Sequence, residues 1–340
     1  MTWGGATWCA HPRLQTGESF SSWLHRVAQA NGVGDHSFCR QVLGGRAAWD
    51  RDLDRFVDER MLIAASLATG ERLQNLQGSV IAGVAGRMFE EHRIRGELEW
   101  VLPLGIRARR RTAFGQQYCP VCLSSGMPWL RLTWRFAWMT VCSTHHVALR
   151  DACENCASPI TLHRISSNPR RGLLCSHCGD RLAGAGDAAP QAEVRFQRRL
   201  ERALSGHWLN WYGTPTAPLD VFRGLRSLAR GLYTSSHGIG LVELMPLAMY
   251  RNRPSPGALG IEHWRIEQRR YAMSILRHVL AGWPDSFLDR ARVHHLYRAR
   301  FDDLVRSGQP TWLDRVLQQL ERPVPNLTGR WAGYQKADRV

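Results

Sequence analysis

Eight side chains of metal-ligand type stand near the middle of this 340-residue chain, at spacings that suit two tetrahedral ions. Cys119-Pro-Val-Cys122 is followed by Cys142-Ser-Thr-His145, and Cys153-Glu-Asn-Cys156 by Cys175-Ser-His-Cys178. Each tight turn aims two ligands at one point, and the intervening hairpin carries the second pair across to meet them, which is the zinc-ribbon pattern. Two structural Zn2+ ions are therefore expected. A catalytic zinc keeps one position open for water, whereas each of these sets supplies four protein ligands, and no HExxH or HxE motif accompanies them. The expected chemistry is folding rather than catalysis, since such ions contribute roughly 10–16 kcal/mol of apparent binding energy to a short, loop-rich segment. His146 and His177 are alternative ligands; the CxxH spacing favours His145, and His177 is expected to face solvent.

A disulfide framework is the competing use of these cysteines. The first residues, rich in Trp, Gly and Pro, lack the basic and apolar pattern of an export leader, so the thiols are expected to meet a reducing interior. A thioredoxin-like redox role calls for one CxxC rather than four half-sites in series. Cys9, close to His11, has no second pair to complete a tetrahedron, and neither Cys9 nor Cys39 acquires a role from spacing.

The formal net charge is +16, and Lys336 is the only lysine among the cations. Two divalent ions would add four charges and seven thiolates remove seven, leaving about +13, a balance that seeks polyanions. The sequence has no apolar stretch long enough to span a bilayer, no lipidation signature and hence no expected membrane association. Nucleic acid is the better polyanion. Arg107, Arg109, Arg110 and Arg111 form the densest basic run; it reads either as solvated surface or, beside a zinc ribbon, as a phosphate clamp.

The elements that would position these groups fall into three regions, 1–110, 111–182 and 183–340. In the first, Phe20, Trp23, Leu24, Val27 and Ala28 make one helical face, ended by Asn31-Gly32; Asp35 is expected to cap a second helix that Gly44-Gly45 stops, giving a helix-turn-helix-like hairpin. A second pair is expected over about 58–68 and 71–77. In its last helix Leu73 and Leu76 can face inward while Arg72, Gln74, Asn75 and Gln77 lie outside the apolar stripe, and these are side-chain types that read base edges. A short polar helix packed on a bundle is the plainer alternative. The second region holds the cysteines, with Trp129, Trp134, Phe136 and Trp138 expected to pack the ribbon, or else to stack on unpaired bases. Residues 182–193 read as a linker. Beyond it, helices are expected around 221–232 and 262–281, the second bearing Arg265, Arg269 and Arg270 and broken by Gly282-Trp283-Pro284. The fold class is mainly α with small zinc-ribbon β elements: an N-terminal helix-turn-helix-like bundle, a tandem zinc-binding module and a C-terminal helical domain.

Three stretches resemble one family. Pro12 followed by Gly17-Glu18-Ser19-Phe20-Ser21-Ser22-Trp23-Leu24-His25-Arg26-Val27-Ala28 and Asn31-Gly32 is similar to the start of TniQ-family transposition proteins. So is Tyr118-Cys119-Pro120-Val121-Cys122-Leu123, leading through Arg131-Leu132-Thr133-Trp134-Arg135 to Cys142 and His145, then Leu149, Cys153 and Cys156. Leu280-Ala281-Gly282-Trp283-Pro284 with Phe287 resembles a third feature. The resemblance implies a non-catalytic adaptor in transposon target selection, joining target DNA or a DNA-targeting complex to an AAA+ ATPase regulator. It also implies helix-turn-helix modules, zinc fingers and a bacterial cytoplasmic location at the nucleoid. For the CRISPR-associated transposon branch it implies a homodimer docked on a guide-RNA complex. The alternative is a free-standing, sequence-specific, zinc-containing DNA-binding transcriptional regulator.

Overall fold

The computed structural model describes residues 8–43, 48–107, 110–124, 128–168, 172–233, 260–293, 296–301 and 310–321. By its contacts the chain groups into two compact units, one of residues 1–200 with 261–270 and one of residues 201–260 with 271–340. The described residues are mostly helical, with small antiparallel strand pairs in both units.

The first unit opens with α1 (Phe20–Ala30) and α2 (Asp35–Val42), then α3 (Leu53–Phe56), α4 (Glu59–Thr69) and α5 (Leu73–Gly78). Phe20, Trp23, Leu24, Val27 and Ala28 are all fully buried, as the apolar periodicity of α1 requires. Ser19 caps α1 by accepting from the Ser22 amide, and Asn31 closes it before Gly32 turns left-handed at φ 64°. Gly34, not Asp35, is the cap of α2; Asp35 lies in the first turn, where its carboxylate pairs with buried His25 at 2.9 Å. The expected Gly44-Gly45 stop lies outside the described residues. Asp58 caps α4 through the Met61 amide at 2.9 Å, and Gly70, at φ 71°, separates α4 from α5. The short helix α3 and the turn of 3-10 helix at Ala48–Asp50 lie between the two expected pairs and carry no periodic pattern long enough to announce them.

Among the described residues, four strand pairs of two or three residues each follow the helices or sit between them. β1 (Ile106–Arg107) pairs with β2 (Arg110–Arg111), β3 (Val141–Cys142) with β4 (Val147–Ala148), and β5 (Ser166–Asn168) with β6 (Gly172–Leu174). The segment expected as a linker is instead part of this unit. The Ala148 amide donates to Asp187 O at 2.8 Å, the Ala189 amide to His146 O at 2.8 Å, and Leu182 is buried. Gly186 passes so close to Val147 that any Cβ would collide with its side chain, so small residues there permit an extra strand-like pass rather than a free tether.

Large aromatic side chains fill the core of the first unit. Trp134, Phe136 and Trp138 are fully buried with Trp23, Trp49 and Trp100; Trp129 is half-buried, with the Arg131 guanidinium 4.8 Å above its ring. The expected packing role holds for the three buried rings.

The second unit contains the last residues of α6 (Gln191–Leu204), the hairpin of β7 (Leu209–Trp211) and β8 (Thr214–Thr216), and α7 (Pro218–Tyr233). It also contains most of α8 (Ile266–Val279), then α9 (Asp285–Val293) and α10 (Thr311–Leu317). The expected helix over 262–281 is shorter than its pattern: a turn of 3-10 helix at Ile261–His263 precedes α8, which starts only at Ile266. The core of this unit is a tryptophan cluster, in which the Trp312 ring lies 5.8 Å from Trp211 and 5.5 Å from Trp283. Trp312 donates from Nε1 to Asp220 O at 3.1 Å, and its indole occupies the space a side chain at Gly224 would need.

Candidate functional site

The two ligand sets assemble as two separate clusters, each with its ligand atoms within 4.8 Å of one another. In the first, His145 Nδ1 lies 3.7, 3.2 and 3.6 Å from the Sγ atoms of Cys119, Cys122 and Cys142, and the last two sulfurs are 3.8 Å apart. In the second, Cys153 and Cys178 are 3.7 Å apart, as are Cys156 and Cys175. A tetrahedral ion bound to sulfur at about 2.3 Å sets its ligand edges at about 3.8 Å, so both clusters have the dimensions of a four-coordinate metal site.

The backbone builds three of the four knuckles in a recurrent way, while the Cys119–Cys122 knuckle runs into a turn of 3-10 helix at Cys122–Ser124. The amides of His146, Ala157 and Gly179 donate to the carbonyls of Cys142, Cys153 and Cys175 at 2.8, 2.9 and 2.9 Å, and all three residues are left-handed, at φ 55°, 54° and 73°. That turn reverses the chain directly after the second ligand. Amide-to-sulfur bonds, from Cys122 to Cys119 and from His177 to Cys175, both at 3.4 Å, favour thiolate at the sulfurs. Hydrogen bonds from neighbouring thiols push Cys142 well below the ordinary thiol range and push Cys119 well above it. A hydrogen bond with Ser158 lowers Cys156 to about 6, whereas burial raises Cys153 to about 12. His146 turns away from the cluster to meet Arg198 Nη2 with its Nε2 at 2.8 Å, and His177 is exposed, so neither replaces an assigned ligand.

Asp151, which lies between the two ligand sets in sequence, holds a returning piece of chain. Arg265 donates to both its oxygens from Nε and Nη2 at 2.9–3.2 Å, while the Ile266 amide donates to Oδ2 at 2.8 Å. Arg265 also lies 3.7 Å over the Phe114 ring, and fully buried Arg269 donates to Gln117 Oε1 at 3.1 Å. Arg270 pairs with Glu193 at 2.9 Å. These three arginines, which ride on the expected surface of a C-terminal helix in the sequence, are structural fasteners within the first unit.

The remaining basic and polar candidates sit in different settings. Arg72, Gln74, Asn75 and Gln77 are exposed on or beside α5, while Leu76 is buried and Leu73 half-buried. Asn75 is occupied: its Nδ2 donates to Glu71 Oε1 at 2.8 Å, and the same carboxylate accepts the Arg72 and Leu14 amides at 3.1 Å. Arg107 and Arg110 face each other in the β1–β2 register, and Arg109 lies outside the described residues. Arg111 points inward, half-buried, and burial lowers it to about 10 against the opposing pull of Asp52 and Asp54. Of Cys9 and Cys39, neither joins a ligand cluster; Cys9 is exposed, and burial beside Asp35 raises the Cys39 thiol to about 12.

A buried polar network escapes any reading of spacing. Glu18, fully buried, accepts from Ser22 Oγ at 3.0 Å and from Arg26 Nε and Nη2 at 2.8 and 2.6 Å. Ser21 donates twice to Asp54, at 2.7 and 2.8 Å, and Trp23 Nε1 donates to Pro12 O at 2.9 Å. The Leu130 amide reaches Ser22 Oγ at 2.9 Å and the Ser19 amide reaches Leu130 O at 2.9 Å, tying α1 to the stretch between the first two knuckles. The serines and the one acid in Gly17-Glu18-Ser19-Phe20-Ser21-Ser22 are therefore internal connectors, and their only sequence signal is an unusual density of small polar residues at the head of an apolar helix.

Residues 9–149 match the TniQ family model. The match takes in α1 through β4 and the whole first cluster, and ends before the second. No curated protein matches the chain.

Proposed function

We propose, taking residues 9–149 as a TniQ domain, that this chain is a non-catalytic adaptor in transposon target selection, linking target DNA or a DNA-targeting complex to an AAA+ transposition regulator. The observation that carries the reading is the coincidence of that domain with a metal cluster whose four ligands come entirely from the protein. Filled with zinc, Cys119, Cys122, Cys142 and His145 leave no position for a reacting water, and the same is true of Cys153, Cys156, Cys175 and Cys178. Both ions act as folding cofactors. ATP hydrolysis and strand transfer then belong to the partners.

The net charge of +16 supports a role beside nucleic acid, and Arg72, Gln74 and Gln77 project from the second helix of the α4–Gly70–α5 hairpin, where a recognition helix would present them. Asn75 supports that helix from the side by holding Glu71. Arg107, Arg109, Arg110 and Arg111 would add phosphate contacts. A homodimer docked on a guide-RNA complex is the form this role would take if the gene neighbours a CRISPR array. The same exposed α5 residues are what a sequence-specific transcriptional regulator would use, and this is the second reading.

The two readings separate in a transposition assay. Deletion of the gene should abolish or misdirect insertion while strand transfer by the transposase survives, and the chain should co-purify with the cognate AAA+ ATPase when ATP and target DNA are present. Normal insertion frequency and target choice in the deletion strain, with altered transcription of neighbouring genes, would replace the adaptor with the regulator.

A further inference from the structure

His163 is nine-tenths buried, yet neither ring nitrogen has a hydrogen-bond partner. A buried imidazole normally satisfies at least one nitrogen, because leaving it unpaired costs most of its desolvation energy. Its surroundings are mainly cationic. The His36 ring meets it edge-on at 5.2 Å, Arg111 and Arg164 bear on it electrostatically, and Asp50 is the opposing acid. Trp49 covers one side at 5.3 Å. Arg111 adds a second orphan, for its Nη1 is buried without a partner.

Two of the nearby acids, Asp52 and Asp54, are already committed. Asp52 accepts from Arg135 Nη1 and Nη2 at 3.0 and 2.6 Å, and Asp54 accepts from Ser21 and Arg135. His36 lies in the first turn of α2, whose cap is Gly34 and offers no side-chain acceptor to the helix amides. That end of a helix favours negative charge. His36 and Arg164 are exposed, so the group has an open edge as well as a buried floor. A compact acceptor of several hydrogen bonds would satisfy both orphan donors.

We propose that His163, Arg111, Arg164 and His36 form a binding site for a phosphoryl anion. His163 and Arg111 donate from the floor, and Arg164 and His36 close over the exposed edge. Phosphate supplies the multiple acceptor oxygens that both orphan donors need, and charge-assisted bonds of this kind are the strong ones. The phosphoryl group could belong to a nucleic-acid backbone, to a strand's 5′ end or to free phosphate, and the site recognises the shared chemistry. Burial and the surrounding cations hold the unliganded His163 at about 3, so an arriving anion raises its proton affinity.

The test uses the full-length, metal-loaded chain with histidine ring labels followed by NMR, and inorganic phosphate as the first probe. Phosphate should shift the His163 ring resonances and raise its titration midpoint. His163→Phe removes the orphan nitrogens in an apolar pocket, so it should melt no lower than the parent while phosphate affinity falls about tenfold or more. Arg164→Ala, at the exposed edge, should weaken phosphate without disturbing the core. An oligonucleotide with and without a 5′-phosphate identifies the source. Competition by the phosphorylated strand alone assigns a strand end, competition by both assigns backbone, and competition by neither assigns the free anion. A His163 ring indifferent to phosphate, or phosphate affinity unchanged in both variants, would overturn the site whatever the chain's role in transposition.

Discussion

Arg135 Nη2 donates to Asp52 Oδ2 at 2.6 Å, joining the stretch between the first two cysteine knuckles to the segment just before α3. The arginine is fully buried, bonds the Gly115 and Leu102 carbonyls at 3.1 and 3.0 Å, and reaches Asp54 at 3.4 Å. It is the common partner of two carboxylates, one of which also anchors α1 through Ser21.

Removing that guanidinium should cost far more than deleting a surface arginine. Arg135→Met leaves Asp54 buried beside Ser21 without its cation, and about 3–5 kcal/mol of stability should be lost. Denaturant unfolding measures it. The double change Arg135→Met with Asp54→Asn should recover part of the loss, because the uncompensated carboxylate is then gone; equal losses in single and double variants would mean that packing, not charge, sets the cost.

The purified chain should carry two zinc ions. Elemental analysis should give a stoichiometry near two, and Cys122→Ser and Cys156→Ser should each lower it to near one while loosening the first unit, because ligand loss removes energy coupled to folding. Retention of two ions in Cys122→Ser would show that the first cluster is not a metal site.

Acid should weaken the fold through His163. Its folded value near 3 lies below the ordinary 6.5, so the unfolded chain takes up a proton that the folded chain refuses. Stability therefore falls as pH drops through 6.5 toward 3, by roughly 1–2 kcal/mol at pH 5 from this one group. His163→Phe should flatten that portion of the curve relative to the parent. Phosphate in the buffer should also flatten it, so the comparison belongs in a phosphate-free, low-sulfate medium.

The exposed residues of α5 should divide into two kinds. Arg72→Ala and Gln74→Ala should leave stability within about 0.5 kcal/mol, as changes at open surface positions do. Asn75→Ala should cost about 1 kcal/mol, because Glu71 loses a donor. If α5 reads base edges, Arg72→Ala and Gln74→Ala should change sequence preference with non-specific DNA affinity retained, measured by competition binding. Unchanged preference in both would return α5 to a plain packing helix.

The ligand clusters were legible because a metal fixes residue type and spacing together, and α1 because an eleven-residue helix shows its apolar face plainly. The polar network was not. Ser21, Asp54 and Arg135 become partners only when segments more than thirty, and in one case more than eighty, positions apart meet in the fold. Periodicity records which face is buried but not which buried polar atom pairs with which. The same limit hid His163, whose unpartnered nitrogens are a property of its neighbours rather than its own position. The supposed linker was misjudged for a related reason: Gly, Ala and Pro mark flexible tethers, but they equally mark backbone that must lie close to another strand, as Gly186 does against Val147.

The salt bridge from Arg265 to Asp151 also limits how the protein can be dissected. A fragment ending near residue 184 or even 200 would keep every cysteine ligand, yet Asp151 would lose both its guanidinium and the Ile266 amide, and Gln117 would lose Arg269. Trimming by sequence order thus leaves the Asp151 carboxylate without its partners, and poor solubility of such a fragment would say nothing about zinc. A minimal version of the first unit would need residues 261–270 reconnected by a short designed tether, making the unit a discontinuous inheritance of the chain rather than a module that can be cut out in one piece.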